Sequence, residues 1–497
     1  MKIPDTEVIV KITREVLTLF NIEGELNIYN DLTDGIVTTR LMFNGRTYVN
    51  SDTINPNELE RAEIHRLVKR NLYVIFIRDF NKSPAPYGIM HGVRPTKIVH
   101  RWIRALNNTI NNSSIQDYII NRLKTDYLVS EDKAELLTRV AIRQIPILNT
   151  SDEYTVSVYV GIPFCVTRCL YCSFPSNVLP DDKKIAEFMQ VLARDVEAAK
   201  DNITRHGFKV QNIYIGGGTP TSLPDIFFAQ MLHMIYNAFY NDEVVEFTVE
   251  CGRPDTITLE KIAVMSQYRV TRVSVNPQSM QQRTLDIIGR RHTPEDIIRA
   301  FNELRNGGNW QINMDLILGL PGETVDDVRD SLEKVIALNP DDITIHALAI
   351  KRGSRLQMTL DDITSNEKVS NTQPLNQNKN LFNLPNDEEV RQMAKVTEEL
   401  LRVNNFEPYY LYRQGYMSGQ IENIGYCRDE AVGVYNVQIM DERQTIIGIG
   451  GAATTKVVDF KNNCLHSVFN AKDLLTYLKN VDYYIDKRTN LINSIYD

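Results

Sequence analysis

The 497 residues contain no run approaching the roughly 18 consecutive apolar residues of a membrane-crossing helix, so no span is expected. A basic excess is also missing. Lys and Arg number 55 against 63 Asp and Glu, a net charge of −8, whereas a nucleic-acid partner selects a basic footprint. Cysteine is scarce, at six in the whole chain, and three of the six fall in one loop, which excludes a disulfide framework of the kind found in small secreted domains. The N-terminus, Met-Lys-Ile-Pro-Asp-Thr-Glu, carries charges where a signal peptide has its apolar core, and a cytoplasmic protein is expected. Internal repeats and heptads are absent. With 43% hydrophobic and 24% charged residues, the chain has the means to bury large cores, in two to four domains, and its ligand is expected to be small.

What is present begins with Cys165, Cys169 and Cys172, a Cys-x3-Cys-x2-Cys triplet placed directly after an apolar strand-like run. Three soft thiolates on one loop suit an iron-sulfur cluster or zinc. A structural zinc takes four protein ligands, and neither Cys nor His stands nearby as a fourth, so zinc requires a distant one. A 4Fe-4S cluster held by three cysteines keeps one iron open for a small molecule.

From Tyr154 to about Arg355 the chain alternates short β-rich runs with amphipathic helical stretches, the pattern of a parallel sheet. Six strands are expected, at Val156–Ile162, Asn212–Ile215, Val245–Glu250, Val270–Val275, Ile312–Leu318 and Ile343–Leu348. Ile185, Phe188, Met189, Leu192 and Val196 form one helical stripe between them, and Val325, Val328, Leu332, Val335 and Ile336 another. Right-handed crossovers wind six such units into a partial or open β/α barrel. Residues 1–150 form a separate α+β module, with short strands in residues 1–50, a hairpin turn at Asn44-Gly45, and helices from about Asn57 and over Lys97–Leu148. Residues 361–387 are polar and read as a mobile insertion. Residues 388–497 read as an α+β module that starts with a helix and has β-rich segments at Tyr409–Arg413, Val434–Met440 and Thr445–Ile449.

In β/α barrels chemistry sits at the C-terminal ends of the strands, and the unusual residues fall there. The cysteines follow strand 1 and Gly216-Gly217-Gly218-Thr219-Pro220 follows strand 2. Strand 3 ends at Glu250, strand 4 runs into Asn276-Pro277-Gln278, strand 5 carries Asp315, and strand 6 carries His346. The glycines leave backbone open to a zwitterionic amino-acid group, or simply make a tight turn. Glu250 and Asp315 suit ribose hydroxyls or an ammonium, and Gln278 both donates and accepts. Arg290 and Arg291 fit either a carboxylate or a solvated helix end. Lys351, Arg352 and Arg355 form a basic group after strand 6 that suits an acidic substrate or a surface patch. His346 has a structural as well as a catalytic reading.

These motifs together resemble the oxygen-independent coproporphyrinogen III oxidase family of radical S-adenosylmethionine (SAM) enzymes, specifically its longer branch with an extra N-terminal domain. The resemblance covers roughly residues 154–456. It rests on Tyr-Val-Gly-Ile-Pro-Phe-Cys, Gly-Gly-Gly-Thr-Pro, Asn-Met-Asp-Leu-Ile-Leu-Gly-Leu-Pro-Gly-Glu and Gly-Ile-Gly-Gly-Ala-Ala, with Gly92–Lys97 and Gly252–Thr256 also matching. It implies a partial six-unit radical SAM barrel in which Cys165, Cys169 and Cys172 bind a 4Fe-4S cluster. Tyr159, Gly217 and Glu250 would lie at the SAM on that cluster, with Tyr159 joining the cysteines in catalysis. Tyr171, Gly218, Thr219, Gln278, Arg290, Asp315 and Ala349 would surround a second SAM. The implied reaction is radical removal of hydrogen from two propionates of coproporphyrinogen III, each losing CO2 to become vinyl, with an electron donor such as flavodoxin or ferredoxin. The chain departs from the family at Ser173-Phe174, where well-known members reach a fourth cysteine, and at Gly161, where they commonly have His. Related proteins without that cysteine include haem-binding carriers, one alternative reading; radical SAM chemistry on another tetrapyrrole is the other.

Overall fold

A computed structural model describes residues 3, 6–20, 22, 26–56, 60–106, 112–351, 353–359, 383–415, 417–428 and 430–497. Nearly all of the expected polar insertion, along with Arg352, lies outside the described residues. The chain forms two compact units, residues 1–142 and 143–497.

The first unit opens with helix α1 (Glu7–Phe20), where short strands were expected. Its Val- and Ile-rich start looks β-prone, yet Ile9, Val16 and Phe20 share one helical face and are buried. Strands β1 (Leu26–Thr33), β2 (Ile36–Phe43) and β3 (Arg46–Thr53) form an antiparallel sheet. Asn44 and Gly45 turn β2 into β3 with φ of 48° and 74°, the paired positive values of a tight hairpin. Helix α2 (Glu60–Asp79) covers this sheet through Leu72, Tyr73 and Phe76, which pack with Leu41, Val16 and Phe20. Helices α3 (Thr96–Leu106), α4 (Asn112–Tyr127) and α5 (Glu131–Leu148) follow, and α5 ends in the second unit.

The second unit is built on one sheet of 11 strands. Its centre is parallel and runs in chain order: β4 (Thr155–Ile162), β7 (Lys209–Gly217), β8 (Glu246–Glu250), β9 (Arg272–Ser274), β10 (Gln311–Leu318) and β11 (Asp342–Ala347). Two short strands, β5 (Phe164–Cys165) and β6 (Asn177–Val178), bracket the cysteine loop. The crossovers hold α6 (Asp182–His206), α7 (Asp225–Phe239), α8 (Leu259–Gln267), α9 (Gln282–Ile287), α10 (Pro294–Gly307) and α11 (Val325–Ala337). Both expected stripes face the core: Ile185, Phe188, Met189, Leu192 and Val196 are buried in α6, as are Val328, Leu332 and Val335 in α11. Asp181 caps α6 at one end and Gly207, at φ 64°, closes the other, while Thr324 and Asp327 form a capping box on α11.

The C-terminal segment extends this sheet at both edges. After α12 (Asp387–Val403), β12 (Glu407–Tyr412) and β13 (Asn423–Cys427) join antiparallel beside β11. At the other edge β14 (Thr445–Gly450) lies parallel to β4, followed by the antiparallel β15 (Thr454–Asp459) and β16 (Cys464–Phe469). Between the two sets, Val434–Met440 is not a strand but most of helix α13 (Val434–Asp441). The Val434 N–H donates to Glu246 Oε2 at 2.7 Å, and Tyr435, Val437 and Gln438 are buried, so tertiary contacts override a β-prone composition. Helices α14 (Leu474–Lys479) and α15 (Val481–Tyr496) close the chain. Among the described residues no helix is long and apolar enough to cross a membrane.

Candidate active site at the strand ends

The loop that carries the cysteines is fastened by backbone bonds to its surroundings. Asn177 N–H donates to Pro163 O at 2.7 Å, Leu179 N–H to Cys165 O at 2.9 Å, Leu170 N–H to Ile288 O at 2.9 Å and Leu356 N–H to Leu170 O at 2.9 Å. All three thiols are free. Burial above all pushes the Cys172 thiol up, the nearby thiols of Cys169 and Cys165 push it further, and a bond from the Phe174 backbone and the charge of Arg168 oppose this. Three neighbouring thiolates on one loop repel one another unless a cation neutralises them, so the loop suits a metal centre. Phe174, two residues beyond Cys172, is 37% exposed.

The glycine run forms the next wall. Gly218 N–H donates to Ile162 O at 2.8 Å and Thr219 N–H to Phe164 O at 2.6 Å, with Thr219 Oγ1 3.6 Å from Cys165 Sγ. A Cβ on Gly218 would lie 2.4 Å from Phe164 O, and Gly217 sits at φ 112°, so side chains are excluded at both positions. Gly218→Ala should therefore push the Phe164–Cys165 backbone away and lower SAM cleavage on the order of 100-fold, the cost of a misplacement near 1 Å. Measuring 5′-deoxyadenosine release by the cluster-loaded variant checks this.

Glu250, at the end of β8, accepts from Tyr214 O–H at 2.5 Å and from Gly217 N–H at 3.2 Å. Burial, then the charge of Asp315, pushes its carboxyl up to about 7 despite those bonds. The folded state thus holds this proton more tightly than the unfolded chain does, where the ordinary value is 4.5. Its contribution to stability is complete below that ordinary value and lost as pH rises through the folded one. In denaturant titrations without SAM, the stability of wild type relative to Glu250→Gln should fall as pH rises from the ordinary value of 4.5 to about 7. A difference independent of pH would contradict this assignment.

Three tyrosines stack behind the glutamate. Tyr159 on β4 pairs in register with Tyr214 on β7, with ring centroids 6.0 Å apart, and Tyr435 from α13 lies 4.4 Å from Tyr214. Burial holds the Tyr159 hydroxyl above the ordinary tyrosine range. Across the mouth, Arg290 Nη1 donates to Gly252 O at 3.1 Å and to Asn276 O at 2.7 Å, while Nη2 reaches Tyr171 Oη at 3.4 Å. It thereby ties the ends of β8 and β9 to the cysteine loop, whereas Arg291 is exposed.

Gln278 adopts φ 67° and bridges to β10, donating its N–H to Asp315 O at 2.9 Å. Asn313 Nδ2 donates to Asp315 Oδ1 at 2.6 Å, His346 Nε2 lies 3.6 Å from Asp315 Oδ2, and His346 Nδ1 lies 3.4 Å from Tyr412 Oη. Ala349 pairs with Met417 just beyond β11. Sequence reasoning missed Tyr214, whose alternation with Gly216 on β7 was a usable signal, and Tyr412 and Tyr435, which arrive from the distant C-terminal segment.

A parallel sheet with three free thiols on its first loop, an open glycine edge beside them, a carboxylate at the end of β8 and another within β10 defines a radical SAM protein, and residues 159–335 match the Radical SAM superfamily. The chain belongs to the oxygen-independent coproporphyrinogen III oxidase family within it. It is 35% identical to the oxygen-independent coproporphyrinogen-III oxidase-like protein HemZ of Bacillus subtilis, over 88% of this chain and 84% of that protein. The haem chaperone HemW of Haemophilus influenzae is 31% identical over 39% of this chain and 51% of its own length. In fold, the chain is similar to the Escherichia coli coproporphyrinogen III oxidase HemN, a radical SAM enzyme, with a TM-score of 0.51 and 22% identity over 69% of this chain and 72% of that one. The cofactors are a 4Fe-4S cluster and SAM.

Proposed function

We propose that the chain catalyses oxygen-independent oxidative decarboxylation of coproporphyrinogen III to protoporphyrinogen IX. The observation carrying this reading is a half-buried cation beside the cysteine loop. Lys351 opens a segment tied to that loop by Leu356 N–H donating to Leu170 O at 2.9 Å, and burial holds its ammonium below the ordinary lysine range against the opposing charge of Cys172. A cation there suits a propionate carboxylate brought to the reacting centre. Arg168 extends the basic rim and is fixed by donating from Nη2 to Gly353 O at 2.7 Å. The likeness to an oxidase-like protein along most of the chain supports this reading, since the likeness to the haem chaperones covers only a part.

In this reading Cys165, Cys169 and Cys172 would hold the 4Fe-4S cluster. Gly217 would offer backbone to the amino-acid end of SAM, and Glu250 would accept from its ammonium. Reduced by a flavodoxin- or ferredoxin-like donor, the cofactor pair supplies a carbon radical able to take hydrogen from an unactivated carbon. Loss of hydrogen from the ring-adjacent carbon of a propionate, then of CO2 from its neighbour, leaves a vinyl group and one electron for an acceptor. Lys351 and Arg168 orient the carboxylate, while Asp315, His346 and Tyr412 line the opposite side.

The test is anaerobic incubation of the reconstituted protein with SAM, reductant and coproporphyrinogen III. Formation of 5′-deoxyadenosine, CO2 and protoporphyrin together is expected. SAM cleavage with no porphyrin decarboxylation, and haem retained through purification, would instead establish a haem carrier. Lys351→Ala should raise KM for coproporphyrinogen about 10- to 100-fold, the loss of one charged hydrogen bond, and leave substrate-free SAM cleavage unchanged.

A further inference from the structure

We propose a second metal site, for Zn2+, on the hairpin at the sheet edge far along the chain from the cysteine loop. Its ligands are Asp459 at the end of β15 and Cys464 and His466 on β16. Asp459 pairs directly with Cys464 across the hairpin, and His466, two residues on, points to the same face of the strand. The three donor atoms lie within 4.8 Å of one another. Cys464 Sγ is 3.2 Å from His466 Nε2 and 3.9 Å from Asp459 Oδ2, and His466 Nε2 is 4.0 Å from Asp459 Oδ2. Zinc bonds of 2.0–2.3 Å in a tetrahedron hold neighbouring donors about 3.3–3.8 Å apart, so closing on an ion needs shifts of only a few tenths of an ångström.

The donor set selects the ion. One thiolate, one imidazole and one carboxylate make a borderline-soft site, which favours zinc over magnesium or calcium. The carboxylate is already oriented by its neighbours, since Asn462 donates from its backbone N–H to Oδ1 at 2.9 Å and from Nδ2 to Oδ2 at 2.7 Å. Such outer contacts fix a ligand before the metal arrives. Cys464 is exposed and His466 is half-exposed, so the fourth position faces water. The ion would clamp the last two strands, where β16 is the edge strand of the sheet among the described residues.

The full chain is reconstituted with its cluster anaerobically, so that Cys165, Cys169 and Cys172 are occupied, then titrated with Zn2+ against a competing chelator. One zinc per chain is expected. Cys464→Ser and His466→Ala should each weaken binding at least 100-fold, and Asn462→Ala about 10-fold. Iron content and SAM cleavage should not change. Hydrogen exchange of residues 454–469 should slow when zinc binds to the wild type and not to Cys464→Ser. Absence of chelator-resistant zinc, or zinc binding indifferent to these substitutions, overturns the proposal.

Discussion

Cys169→Ser is expected to eliminate iron and acid-labile sulfide from the reconstituted protein and to reduce 5′-deoxyadenosine formation to the protein-free background. Cys169 is the most enclosed of the three cysteines, 8% exposed, with Arg290 and Tyr171 close by. A hydroxyl there is a hard, protonated and poor iron ligand, and burial keeps water from taking its place. The loop is held by backbone bonds such as Leu170 N–H to Ile288 O and Cys172 N–H to Cys169 O, which serine leaves intact. Circular dichroism of the variant should therefore match wild type while the cluster absorbance is lost. A variant that assembled a cluster and cleaved SAM would remove Cys169 from the ligand set.

Arg488→Ala should be the most destabilising single change away from the site. Arg488 Nη1 lies 2.6 Å from Asp195 Oδ1 with the side chains 1% and 0% exposed, and it also donates to Gly448 O at 3.0 Å. Asp195 accepts in addition from Gly450 N–H at 2.9 Å and Tyr477 O–H at 2.7 Å, joining α6, α14, α15 and β14. Removing the arginine leaves a buried carboxylate without its cation, which costs about 3–5 kcal/mol. The damage should reach the cluster. Gly450 and Gly451 pack against Gly161 and Pro163, immediately before the cysteine loop, and a Cβ on Gly450 would lie 2.4 Å from Gly161 O. Denaturant unfolding of Arg488→Ala, Asp195→Ala and the double variant checks this, the double being less damaged than the two singles summed. Strict additivity would contradict the coupling.

The parallel strands were legible because each is a short apolar run bounded by turn residues, and the strand-end positions of the cysteines, glycines and Glu250 followed from those boundaries, while Asp315 lies within β10 rather than at its end. What the sequence concealed depends on long-range contact. Nothing local to Val434–Met440 reveals that Glu246 anchors it as a helix or that Tyr435 joins the stack of Tyr159 and Tyr214. Arg290 and Arg291 read alike in the sequence, as carboxylate binders or a solvated helix end, but Arg290 is buried with Gly252 O and Asn276 O as partners while Arg291 is exposed. The hairpin ligands Asp459, Cys464 and His466 were equally hidden, because only cross-strand pairing brings the carboxylate to the thiol.

The central claim is that a radical generated at the Cys165–Cys169–Cys172 loop reacts at a propionate held by Lys351. Its most direct test uses coproporphyrinogen III deuterated at the ring-adjacent propionate carbons, with mass spectrometry of the 5′-deoxyadenosine formed under anaerobic turnover. The account predicts deuterium in the 5′-methyl group and matching release of CO2. Unlabelled 5′-deoxyadenosine, with coproporphyrinogen recovered intact, would contradict it.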